Sequence, residues 1–99
     1  MFFNWFDAQK AVEGGQSLAR FFAERISVEA GKNGKKSLPK KQMETIEKMF
    51  AQAQRFSKEH KLNVYKKAKL GSAFKWQLKE LGYPDELINE LTKEILLHL

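Results

Sequence analysis

Residues 78–88 read LKELGYPDELI. Gly82 stands where a helix can close in the left-handed conformation, which a residue without Cβ adopts at no steric cost. Tyr83 can then fold back onto Leu78, and Pro84, with no N–H to give, forbids continuation. Asp85 and Glu86 bring negative charge to the position where a helix N-terminus favours it. One helix therefore stops and another starts within four residues.

The same pattern extends in both directions. Leu87, Ile88, Leu91, Ile95 and Leu99 recur at helical spacing, so a fourth helix is expected over about 85–98. Upstream, Asn63 is a natural N-cap for a third helix over about 63–81, with Leu70, Ala73, Phe74, Leu78 and Leu81 inward and Gly71 as a point of kinking or splitting. A second helix, about 38–60, has Pro39 near its first position, where the missing N–H is harmless, and an apolar face of Met43, Ile46, Met49, Phe50, Ala53 and Phe56. Trp5, Ala8, Ala11, Val12, Gly15, Leu18, Ala19, Phe22 and Ile26 define a first helix over about 5–29, capped by Asn4. Ala11, Gly15 and Ala19 are small residues four apart, which gives a helix-weakening glycine a purpose if a neighbouring backbone comes close. GKNGKKS, between helices one and two, has turn residues and like charges without apolar anchors, and predicts an exposed, mobile basic loop. No alternating strand pattern occurs. The expectation is an all-α, compact four-helix domain spanning residues 1–99.

Composition narrows the function classes. With no cysteine among 99 residues, disulfides, thiolate catalysis and cysteine-bound metals are excluded, and a cytoplasmic setting is expected. The opening MFFNWF begins without positive charge and is soon interrupted by Asp7 and Lys10, unlike a signal peptide. No apolar run approaches the roughly 20 residues that cross a bilayer. The net charge of +6 is unevenly spread: residues 31–41 carry five Lys and no acid, residues 63–82 carry five Lys against one Glu, and residues 83–99 carry one Lys against four acids. A basic middle and an acidic tail attract an acidic partner, or bring one copy's tail to another's middle.

Catalytic constellations fail one by one. Gly34-Lys35-Lys36-Ser37 resembles the end of a phosphate-binding loop, but the earlier glycine position holds Glu29 and no strand precedes it. His60 and His98 lack metal-ligand spacing and suit helix ends. Glu86, Glu90 and Glu94 line one helical face, and a uniformly hydrated stripe cannot separate an acid from a base. The serines lack a nucleophile elbow. The chain is read as non-enzymatic, with no cofactor and no metal.

Surface recognition remains. On the third helix Tyr65, Lys69, Ser72, Trp76 and Lys79 form one stripe alternating aromatic and cationic groups. If another helix covers that stripe, Trp76 belongs to the core. If not, it is a docking surface. On the first helix Phe6, Phe21 and Val28 point away from the main apolar stripe and need a cover of their own. The leading expectation is a helical protein–protein interaction module, a homodimer, using Phe6, Phe21, Val28, Tyr65, Lys69, Trp76 and Lys79 toward a partner with an acidic surface. The alternative is sequence-independent nucleic-acid binding through Lys32, Lys35, Lys36, Lys40, Lys41, Lys66 and Lys67, with arginine, the usual base reader, restricted to Arg20, Arg25 and Arg55. A peripheral adaptor on an anionic membrane ranks third, because the first helix's own polar face is nearly neutral.

Overall fold

The computed structural model describes residues 5–99, with side chains from Ala8 onward, so the chain's first four residues and the side chain of Phe6 lie outside it. Four helices make up the domain: α1 Trp5–Arg25, α2 Lys40–His60, α3 Val64–Glu80 and α4 Asp85–His98. A short 3-10 turn, Lys35–Ser37, interrupts the connection between α1 and α2. No strand occurs among the described residues, and the fold is all-α.

The turn from α3 to α4 forms as its sequence requires. Gly82 has φ +97°. The Tyr83 N–H donates to the Leu78 carbonyl at 3.2 Å and the Gly82 N–H to the Lys79 carbonyl at 3.1 Å, the paired bonds of a Schellman ending. Tyr83 then does more than touch Leu78. Its ring meets Phe22 edge-on with centroids 5.3 Å apart, and its hydroxyl donates to the Ile26 carbonyl just past the end of α1. The residue that closes α3 also closes α1.

That second closure corrects the expected length of α1. The helix stops at Arg25, four residues early. The Ser27 hydroxyl accepts the Ala30 N–H at 3.1 Å, and turns replace helix from there. A serine followed by a β-branched valine competes with helical hydrogen bonding, and the Tyr83 hydroxyl takes a carbonyl that a continuing helix would use. Two smaller corrections fall on α3: it runs unbroken through Gly71, and Leu81 lies at the surface rather than inward. Asn63 caps α3 as expected, its side chain accepting the Lys66 N–H at 2.8 Å.

Around the bundle the helices neighbour one another in the order α1, α3, α4, α2. Gly15 of α1 lies against Leu70, Ala73 and Phe74 of α3, while Phe22 and Ile26 reach Tyr83 beyond α3's far end, so α1 and α3 run parallel. A Cβ at Gly15 would fall on the Leu70 carbonyl oxygen and 2.9 Å from the Phe74 nitrogen. Backbone therefore packs on backbone, with the flanking Ala11 and Ala19 fully buried. On α3's other side Gly71 makes room for a side chain instead, that of Leu96 of α4. Phe22, Ile26, Ile46, Met49, Leu70, Phe74, Leu78, Leu87, Ile88, Leu91 and Ile95 fill the shared interior.

The basic connection is held to the bundle at defined points. The Lys35 N–H donates to Glu90 Oε1 at 3.1 Å, and Lys35 Nζ donates to both Glu94 carboxylate oxygens at 2.5 and 2.6 Å. Leu38 is buried a few residues later. The acidic stripe of α4, expected to be merely hydrated, is thus occupied by the chain's own basic loop.

Candidate docking face

Because α1 and α4 flank α3, its inward side is fixed by Leu70, Phe74 and Leu78, all fully buried. At 100° per residue, Tyr65, Ser72, Trp76 and Lys79 then point directly away from the core. Among the described residues, no other helix covers Ser72, Trp76 or Lys79. Trp76 is 60% exposed and Tyr65 45% exposed. Lys79 Nζ lies 5.6 Å from the Trp76 ring centroid and Lys69 Nζ the same distance from the Tyr65 ring. These are cation–π distances, so each exposed ring carries a positive charge on its face.

Trp76 stands between two grooves. On the α4 side, Ala68, Gly71, Ser72, Lys75, Lys79, Thr92 and Leu96 line an open groove of about 410 Å³. On the α1 side, Val12, Gln16, Lys69, Ala73, Gln77 and Glu80 line one of about 320 Å³. The first has an apolar floor with lysines at its edge; the second is lined mainly by amides and charges. Neither presents a nucleophile beside a base. Among the described residues no group of three or more His, Asp or Glu is placed to hold a metal ion, and no helix is long and apolar enough to cross a membrane.

The other candidate residues are dispersed. Phe21 is half-buried against the core, with the Arg25 guanidinium 3.8 Å above its ring, so one of the two rings expected to need an outside cover has an internal one. Val28 is 40% exposed in the turn after α1. Of the lysines offered for nucleic acid, Lys35 is engaged by Glu94, Lys32, Lys36, Lys40 and Lys41 are exposed on the loop and the start of α2, and Lys66 and Lys67 are half-buried on α3. Lys66 and Lys67 share α3 with the Trp76 stripe, whereas Lys35 is drawn to Glu90 and Glu94 of α4. Both histidines sit in last turns against phenylalanines, His98 stacked on Phe50 at 4.6 Å and His60 tilted by 38° over Phe56 at 4.3 Å.

Sequence reasoning missed Lys75 and Leu96 as parts of the face. Lys75 was visible only as one more lysine, and Leu96 fell within an apolar run whose exposed members cannot be told from the buried Ile95 without knowing where α3 lies. No family model matches the chain, and comparisons with curated proteins and with solved structures found no match.

Proposed function

We propose that the chain is a non-enzymatic, cytoplasmic interaction module whose outward α3 face docks a protein with an acidic surface. The exposure of Trp76 carries this reading. A tryptophan left in water beside three cationic side chains forgoes the roughly 1.5–3 kcal/mol gained by burying a large apolar side chain, a gain that association restores. Tryptophan at the centre and lysine around it match the usual anatomy of a binding hot spot with a charged rim. A native pull-down with wild-type, Trp76→Ala and Lys69→Glu/Lys79→Glu protein tests it. The expected result is an acidic partner retained by the wild type and lost by both variants; a partner indifferent to Trp76→Ala overturns it.

A homodimer is the second reading, favoured by the exposure of Val28 and Leu81 away from the lysine stripe. The α3 face itself suits self-pairing poorly, since a two-fold axis would set lysines against lysines. Light scattering decides between one chain mass and two, and a single mass ends the dimer proposal.

A further inference from the structure

We infer that the groove between α3 and α4 seats an acidic amphipathic helix of the partner protein. This rests on the docking reading above and adds the element, the place and the pattern that would be recognised.

The groove's walls come from two antiparallel helices whose backbone groups are already paired within each helix. An extended peptide laid there would find side chains but no ladder of free N–H and C=O groups, and its own backbone would be left unpaired. A helix satisfies its backbone internally, so it is the form in which a peptide can enter. The span from Ala68 to Lys79 is about 17 Å at 1.5 Å per residue, the length of a three-turn helix.

Floor and edge then specify the sequence it must present. Leu96, 43% exposed, lies over the bare Gly71 backbone beside Ala68, and the Trp76 ring stands at the margin. This is a seat for leucine-like side chains on one stripe. Lys75 and Lys79 sit one helical turn apart along the edge, where carboxylates one turn apart on the guest would meet them. The partner pattern is two or three apolar residues at three- and four-residue steps, flanked by Asp or Glu at the same spacing.

Charge chooses between occupants. A second copy of this chain offers its acidic helix α4, but Glu90 and Glu94 there already hold Lys35. Nucleic acid following the Trp76 stripe would meet Glu80 across Trp76 on the α1 side, and α3 contains no arginine to read base edges. A bilayer has no ridge to enter a concave groove.

The test uses the full chain, a synthetic 14-residue acidic amphipathic peptide with leucines at positions 3, 7 and 10 and glutamates between them, and a scrambled peptide of equal charge. Amide chemical shifts locate the site and titration gives the affinity. Expected are shifts confined to residues 68–79 and 92–96, gain of helical circular dichroism by the peptide, and about tenfold weaker binding after Trp76→Ala or Lys75→Glu/Lys79→Glu. Equal binding of the scrambled peptide, or shifts centred on Val12, Gln16 and Gln77, overturns the proposal. So does Trp76-dependent binding of phosphatidylserine vesicles or a 20-nucleotide single-stranded DNA in place of the peptide. If the pull-down still recovers an acidic partner through Trp76 while the peptide fails, the helical seat is wrong and the docking reading survives; loss of Trp76 dependence in the pull-down sinks the reading itself.

Discussion

Gly15 and Gly82 are both glycines for structural reasons, but the reasons differ and so do the expected costs of replacing them. At Gly15 an added methyl meets the α3 backbone, which cannot rotate away. Gly15→Ala should destabilise by about 2–3 kcal/mol through overpacking, although it raises helix propensity. At Gly82 an added Cβ meets nothing within 4 Å, but φ is +97°. Gly82→Ala should therefore cost only the backbone strain, about 1–2 kcal/mol. Urea denaturation of the two variants checks the order, which reverses if helix propensity dominates at position 15. Tyr83 gives a third residue-level expectation. Burial holds its phenol pKa above the ordinary value of 10.0, so folding favours the neutral form. The stability this contributes is complete below about pH 10 and is lost as pH rises from there through the higher folded value. Stability measured from pH 9 to 11.5 should fall more steeply in the wild type than in Tyr83→Phe. The variant should also lose about 1–2 kcal/mol at neutral pH, because the Ile26 carbonyl gives up a buried donor.

Among elements, the loop clamped to α4 is the feature that departs most from a plain helical bundle. Lys35 and Glu94 are partly sheltered, with side chains 20% and 34% exposed. A double-mutant cycle with Lys35→Met and Glu94→Gln should give a coupling of about 1 kcal/mol that shrinks as salt rises, at the upper end for ion pairs near a surface. A coupling of zero would mean that the loop is held by Leu38 and the Lys35 N–H bond to Glu90 without help from the ion pair. The helices themselves were legible because their punctuation is chemical and local: Asn63 as a cap, Gly82-Tyr83-Pro84 as a stop, Asp85-Glu86 as a start. The end of α1 was not. Its termination depends on a hydroxyl from Tyr83, 57 residues further along, and periodicity through Ile26 continues past the point where the helix ceases. The pairing of Lys35 with Glu94 was hidden for the same reason. Charge counts exposed a basic middle and an acidic tail, but nothing local says that they meet within one molecule.

For the whole molecule, removing Trp76 should separate binding from folding. Trp76→Ala should alter unfolding free energy by less than about 0.5 kcal/mol, as for other exposed positions, while abolishing partner capture. A large loss of stability would instead make Trp76 a packing residue and remove the basis of the docking reading. The aromatic–lysine stripe was readable from spacing, but its standing as surface was not, because the same spacing serves a helix covered on that side. Deciding it required the order of neighbours, and that order places α1 and α4 beside α3, leaving Trp76 and Lys79 exposed among the described residues.

The seat of Gly15 on the α3 backbone has a temporal meaning as well. Between them lie more than fifty residues, so this close contact joins α1 to a helix synthesised well after it. During translation α1 would emerge with its narrow stripe of small side chains unsatisfied and remain so until residues 70–74 had left the ribosome. A chain interrupted before that point should be sensitive to protease throughout α1, and protection should arrive abruptly once α3 is free to dock.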